Sequence, residues 1–273
     1  MNIEKKLKDL PHIYYFNLDH DQDRRDSMET QFDQLKIKNH TRISGSDLLC
    51  DEIKDWEHLL IGEYTWRTRH LVANFVSHIR FLKHWLETTQ DEYLIIMEDD
   101  YDFTLMEYWH FSWRELMNNL PANWDCIQLG YEHDHNIIFC LHYKPAVEHL
   151  FGPCLLNRHF VEKIVKLYFE NGKYFINRKN AFGTDNPCVF AYSVDTAIIN
   201  DGVTYRLPLI TTVPEFIRPE RFRMQNWFRE SASTYHYWWK IKKHEVNLDN
   251  FWRFSLPNVD EMALPVRDYS KYL

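Results

Sequence analysis

The stretch Tyr93-Leu94-Ile95-Ile96-Met97-Glu98-Asp99-Asp100-Tyr101-Asp102-Phe103 changes character halfway along. Tyr93 to Met97 is an apolar run bounded by polar residues, the pattern of a buried strand. Four carboxylates then fall within the five residues Glu98 to Asp102, at the point where such a strand leaves its sheet. Carboxylates that close repel one another unless positive charge lies between them. A divalent cation meets that need. Hard ions such as Mg2+ or Mn2+ take oxygen ligands and keep positions open for a substrate phosphate. A solvated acidic turn is the alternative reading of the same residues.

Working outward, His12 to Leu18 is aromatic and β-branched enough for a first strand. Asp19 to Arg25 reads as a charged loop, and Asp26 to Leu35 as a helix with Met28, Phe32 and Leu35 on one face. Ile43-Ser44-Gly45-Ser46 reads as a strand ending in a turn. The longest helical pattern runs from about Thr68 to Thr88, with Val72, Phe75, Val76, Ile79, Leu82 and Leu86 as its buried stripe. Ser77 and His78 fall at the edge of that stripe. A further helix is expected over Met106 to Leu120, ended by Pro121. Strands follow at Cys126 to Gly130 and Ile137 to Tyr143, then a helix from Arg158 to Phe169. Strand and helix alternating in this way predict an α/β sheet with helices on both faces.

With 273 residues and 45% apolar content, the chain fits one large α/β domain and an appendage. The five cysteines, Cys50, Cys126, Cys140, Cys154 and Cys188, are odd in number and lack CxxC spacing. They are expected to be reduced thiols, neither a disulfide scaffold nor a zinc site. No secretory apolar segment follows Met1, and no run of about 18 apolar residues occurs, so a cytoplasmic protein without a membrane span is the expectation. A net charge of −8 argues against nucleic-acid binding by the whole body. The charge is uneven. Beyond Pro214 to Pro219 the chain turns basic and aromatic, with Arg218, Arg221, Arg223, Arg229, Lys240, Lys242 and Lys243 among Trp227, Phe228, Tyr235, Tyr237, Trp238 and Trp239. Residues 1–215 are therefore read as the main domain and 216–273 as a C-terminal extension.

Several segments in order resemble glycosyltransferase family 25, which includes lipopolysaccharide-modifying and procollagen galactosyltransferases. Tyr15-Phe16-Asn17-Leu18-Asp19 with Asp23-Arg24-Arg25 is similar to that family's opening strand and helix. Ile43-Ser44-Gly45 is similar to a turn that helps cradle the nucleotide. Ser77-His78-Ile79, Ile96-Met97-Glu98-Asp99-Asp100, Trp124 to Gly130 and Gly152-Pro153-Cys154-Leu155-Leu156 resemble its later motifs, and Asp185 with Pro208 and Pro214 its last portion. The resemblance covers about residues 13 to 215. It departs at His70-Leu71-Val72-Ala73-Asn74, where the family carries Gly-Glu-x-Gly-Cys.

The resemblance implies a GT-A fold, a Rossmann-like mixed sheet flanked by helices, together with a UDP-sugar donor and an inverting transfer. A departing diphosphate needs its developing charge neutralised, so Mn2+ or Mg2+ is the expected cofactor. Asp100 is the first candidate ligand and Glu98 its partner, with Asp99 supporting the turn. Asp102, His236 and His244 are further candidate ligands. Asn17 and Asp19 end the first strand, where open α/β sheets bind ligands, and Asp19 suits a ribose hydroxyl or uracil NH. Arg24 or Arg25 would pair with the diphosphate; the alternative is a charge cluster at a helix start with Asp23 and Asp26. Ser44 and Gly45 would cradle the nucleotide. His78 would face the donor, or else be a hydrogen-bonded histidine at the core rim. Inversion needs a general base, and Asp185 is the candidate by its place in the resemblance, with Asp134 and Glu215 in reserve. An Asx-turn is the alternative role for Asp185.

The basic, aromatic extension has several readings: an amphipathic helix packed on the body, a lid over the donor, or a docking segment for an anionic acceptor or a membrane surface. Single-stranded nucleic acid is the least favoured partner. The expected activity is transfer of a hexose, galactose or glucose, to a hydroxyl of a glycan, glycolipid or glycoprotein. The rivals are a non-catalytic glycan- or protein-binding module on the same fold and a metal-dependent phosphohydrolase.

Overall fold

The structure, a computed structural model, describes residues 1–45, 57–62, 69–131, 135–143, 152–176, 198, 201–217, 222–252 and 260–273. Among them the chain runs α1 (Ile3–Lys6), β1 (Ile13–Asn17), α2 (Gln22–Leu35), β2 (His40–Ser44), β3 (Leu60–Ile61), α3 (Arg69–Thr88), β4 (Tyr93–Glu98), β5 (Tyr101–Asp102), α4 (Trp113–Asn119), β6 (Cys126–Gln128), β7 (Asn136–Ile138), β8 (His142–Tyr143), β9 (Cys154–Asn157), α5 (Arg158–Tyr168), β10 (Phe169–Glu170), β11 (Lys173–Phe175), β12 (Thr204–Arg206), β13 (Thr211–Thr212), α6 (Phe222–Lys240) and β14 (Ala263–Pro265).

Seven strands form the central sheet in the order β2-β1-β4-β9-β6-β12-β8. β1 is parallel to β2 and β4, and β12 is parallel to β6. β9 runs antiparallel between β4 and β6. Hence β1, β2, β4, β6 and β12 all end at one edge of the sheet. This is a Rossmann-like mixed sheet, as the alternation of elements predicts.

Side-chain alternation along the strands makes two apolar layers. Tyr15, Ile95, Met97, Ile127 and Leu155 belong to one buried cluster. Phe16, Leu94, Ile96, Cys126, Cys154 and Leu156 belong to the other. Val72, Phe75, Val76, Ile79 and Leu82 of α3, with Phe160, Val161 and Ile164 of α5, cover the second face. Burying each such side chain is worth roughly 1.5–3 kcal/mol, so the apolar stripe on α3 fixes which way that helix turns. The first face is covered by Met28 and Phe32 of α2 and by Tyr235, Trp238 and Trp239 of α6. The aromatic face of α6 is thus packed into the body. Phe139 stacks on Trp238 at 4.7 Å, and the Trp239 indole N–H donates to the Pro208 carbonyl at 2.9 Å.

Two glycines are required by close backbone approach. A Cβ on Gly152 would lie 1.8 Å from the Gly130 oxygen, and one on Gly130 would lie 2.3 Å from the Ile210 oxygen. Only glycine lets these three segments cross at the edge where the parallel strands end.

Some boundaries differ from expectation. α2 starts at Gln22, inside the charged segment read as a loop. The helix expected over Met106 to Leu120 is two pieces, a 3-10 turn at Thr104–Tyr108 and then α4. Trp109 and Phe111, buried between them, break the register, and Ser112 with Glu115 forms a capping box that starts α4 afresh. The strand expected over Ile137 to Tyr143 is also split. β7 pairs with β14 and β8 with β12, so its two ends serve different sheets. The strand beginning at Cys126 ends at Gln128. Cys126, Cys140 and Cys154 are buried free thiols; Cys50 and Cys188 lie outside the described residues. No helix among the described residues is long and apolar enough to cross a membrane.

Candidate functional site

The carboxyl ends of β1, β2 and β4 bring Asn17, Ser44 and Glu98 to one crest. Parallel register sets Asn17 beside Ser44 and Phe16 beside Glu98. The chain continues from β4 through Asp99 and Asp100 into β5, and β5 is held by β13 on the other side. The Val213 N–H donates to the Asp100 carbonyl at 2.7 Å. The acidic turn is therefore clamped from both flanks.

Asn17 is the hub of the crest. Its amide nitrogen donates to Asp99 Oδ2 at 2.7 Å and to the Asp21 carbonyl at 2.9 Å. Its amide oxygen accepts from Arg42 Nε at 2.8 Å. Arg42 also donates to Asp19, and that partner with the Ser44 hydroxyl holds the Asp19 carboxyl below its usual range. Gly45 N–H donates to the Asn17 carbonyl at 3.0 Å. Arg24 reaches in from α2 and donates to Asp99 Oδ1 at 2.9 Å and to the Phe216 carbonyl, with Asp100 Oδ2 at 4.0 Å. Arg25 donates to the Gln22 side chain, and its charge adds to the lowering of the Asp19 carboxyl.

These bonds sort the three acids. Asp99 has both oxygens engaged, one by Asn17 and one by Arg24, and its side chain is 6% exposed. It is a brace. Glu98 Oε1 accepts from the Asn74 amide of α3 at 2.5 Å. Asp100 Oδ1 is buried and has no hydrogen-bond partner. Burial first, then the negative charge of Glu98, push the Asp100 carboxyl up to about 7, against the opposing pull of Arg24. A carboxylate left in that condition is costly unless a cation or a donor arrives.

His78 lies one turn after Asn74 on α3. Its Nδ1 is 2.9 Å from the Asn74 carbonyl, and its ring stacks on Phe16 at 3.7 Å. Burial pushes the imidazole down to about 4, so it is neutral at physiological pH. Asp102 and His236 pair at 3.4 Å. Burial acts to raise the Asp102 carboxyl, but hydrogen bonds from His236 and Thr104 outweigh it and the net displacement is downward. Both residues thus tie β5 to α6. His244 and Glu215 are exposed. Asp134 and Asp185 lie outside the described residues.

Among the described residues no group of three or more His, Cys, Asp and Glu side chains forms a ready-made metal cage. With Asp99 engaged by Asn17 and Arg24, Glu98 and Asp100 make up the two-carboxylate set that a cation would meet at the turn. Such a set fits a Mg2+-type ion, which is held by one or two carboxylates and completed by water and substrate phosphate. The orphaned Asp100 oxygen is the atom that fits it best. Arg42, Asn74 and Phe216 belong to the site without a motif that marks them. Arg42 shares a face of β2 with Ser44 by two-residue alternation, which is the one signal the sequence carries for it.

No family model and no curated protein sequence matches the chain. Among solved structures, it is similar to A197 from STIV, with a TM-score of 0.40 and 11% identity over 74% of this chain and 84% of that one.

Proposed function

We propose that this chain is a glycosyltransferase of the family 25 type that moves a hexose from a UDP-sugar to a hydroxyl of a glycan or of a protein-linked acceptor, with inversion. The observation that supports it most is the buried, partnerless Asp100 oxygen beside Glu98, at the edge where parallel strands end. Ligands in open α/β sheets bind outside that edge.

In this reading Glu98 and Asp100 hold a divalent cation. When bound, Mn2+ or Mg2+ supplies Lewis-acid stabilisation of the charge on the departing diphosphate. Asp99 keeps Asn17 and Arg24 in place and so fixes the turn that carries its two neighbours. Asp19 is 74% exposed at its side chain, open to a ribose hydroxyl or a base N–H while Arg42 orients it. Arg24 is braced by Asp99 and Phe216, and it lowers the local negative potential where a diphosphate would lie. Asp185 takes the proton of the attacking hydroxyl, a role that rests on the resemblance alone. A non-catalytic glycan- or protein-binding module is the second reading. It is favoured by the substituted segment His70 to Asn74 and by Asp99 and Arg24 satisfying each other.

The test is turnover. Purified protein with Mn2+ and a panel of UDP-hexoses should release UDP, and Asp100→Ala should lose that release while staying folded. A well-folded wild type that is inert to every nucleotide sugar and acceptor overturns the reading and leaves the binding module.

A further inference from the structure

Resting on that reading, we propose that Phe216 is a positioning residue of the donor site, which acts through Arg24 to let the site tell a nucleoside diphosphate from a monophosphate. Arg24 lies on α2, and Phe216 lies 192 positions later, in the turn between β13 and α6. One terminal nitrogen of Arg24 donates to the Phe216 carbonyl, and the other donates to Asp99 Oδ1 at 2.9 Å. The guanidinium also lies over the Phe216 ring, 5.3 Å from the ring centre. Phe216 is itself held by its own turn. The Val213 N–H donates to the Asp100 carbonyl at 2.7 Å, the Phe216 N–H to the Val213 carbonyl at 3.0 Å and the Ile217 N–H to the Pro214 carbonyl at 3.2 Å. From α6, the Gln225 side chain donates to the Ile217 carbonyl at 3.4 Å. One short segment therefore grips the acidic turn twice, at the Asp100 backbone and, through Arg24, at the Asp99 carboxylate.

A guanidinium held by a carboxylate alone can swing about that contact. The aromatic face fixes its plane, because a cation over a ring is attracted by the ring quadrupole. Stacking also occupies only the face of the guanidinium and leaves its in-plane N–H groups to other partners. The two bonds above use two of the five N–H donors that a guanidinium carries, and the Arg24 side chain keeps 22% exposure. Ring and carbonyl are both uncharged, so Phe216 orients Arg24 without neutralising it. A carboxylate in that place would add to the charges of Asp99, Asp100 and Asp21, which already act on Arg24. In the proposed reading a diphosphate brings a second phosphate to this edge, and a fixed fork of N–H donors matches phosphate oxygens. A monophosphate lacks that group, so the orientation of Arg24 affects the affinity of one nucleotide and spares the other.

The experiment titrates the full chain with UDP and with UMP in the presence of Mn2+, by calorimetry, and takes the ratio of the two affinities. Wild type should prefer UDP. Phe216→Leu keeps an apolar side chain but removes the ring face, and should shrink that preference about three- to fivefold, the weight of one cation–π contact, with UMP affinity unchanged. Phe216→Tyr restores a ring and should restore the preference. In an Arg24→Ala background, Phe216→Leu should add nothing to the ratio. Phe216→Met also lacks the ring and covers the case in which the leucine variant does not fold. A merely structural phenylalanine would lower the melting temperature, or both affinities together, and leave the ratio alone. If wild type prefers UDP and the ratio survives loss of the ring, or if wild type binds the two nucleotides equally, the Phe216 role is overturned and the donor-site reading stands. If wild type binds neither nucleotide, both fall together.

Discussion

Lys6 and Lys243 lie buried beneath the aromatic C-terminal block, while Glu98, Asp99 and Asp100 lie at the crest of the sheet, and each group sets like charges side by side. The lysines are matched with backbone oxygens. Lys6 donates to the carbonyls of Met106 and Glu107 at 3.0 and 2.6 Å, and Lys243 donates to that of Tyr108. Burial, and then the charge of Lys6, push Lys243 down to about 8. The three carbonyls belong to the 3-10 turn between β5 and α4, so the two lysines staple the amino-terminal helix and the C-terminal segment to it. The acids are treated differently. Asp99 is fully paired, yet Asp100 keeps a buried oxygen with no partner. Buried charge satisfied by the backbone is architecture. Buried charge left unsatisfied on a clamped turn is, in the proposed reading, where a ligand would bind.

The largest expected effect breaks the architectural half. Trp239→Ala removes a fully buried indole and its bond to Pro208, and should cost about 3–5 kcal/mol of stability, read from denaturant midpoints. Nucleotide affinity of the protein that remains folded should not change. A fall in that affinity would make the aromatic block part of the site.

An acid titration compares the halves, because each holds one histidine kept neutral by its surroundings, His78 fully buried and His110 half-buried. Burial pushes His78 and His110 down to about 4 from 6.5. The unfolded chain therefore binds more protons between those values. The stability contributed by each is present above pH 6.5 and is lost as the pH falls toward 4, about 2–3 kcal/mol apiece. Asp100, displaced upward, works against this over the same window. His78→Gln and His110→Gln should each flatten the acid limb of a stability-against-pH curve, and similar slopes in variant and wild type would contradict the assignment.

The smallest effect on stability marks the site. Asp100→Asn replaces a carboxylate crowded by Glu98, so the ligand-free protein should gain roughly 1–2 kcal/mol. Thermal unfolding should then lose its response to Mn2+. A destabilised variant that still responds to Mn2+ would show Asp100 to be a structural acid.

The sequence made the layers readable where periodicity is long. The stripe from Val72 to Leu82 and the run from Tyr93 to Met97 specify a helix and a strand without help from distant residues. It was less readable where short pieces serve two partners. Phe139 to Leu141 looks like the middle of a strand, but its N–H groups donate to Met262 and Phe251, residues more than a hundred positions later. The charged crest was visible as a cluster of acids at a strand end. Its internal division was not, because the difference between Asp99 and Asp100 is made by Asn17, Arg24 and Phe216, which only the fold brings together. The aromatic residues of α6 have the composition of a binding surface, and their burial depends on the facing Phe139 and Phe251.

If Glu98 and Asp100 form a donor site dependent on a divalent cation, as proposed, titration of UDP into the protein with and without Mn2+ reads that dependence. UDP binding should then require Mn2+ and disappear in Asp100→Ala. Binding that is indifferent to Mn2+, or none at all by a well-folded chain, would contradict it.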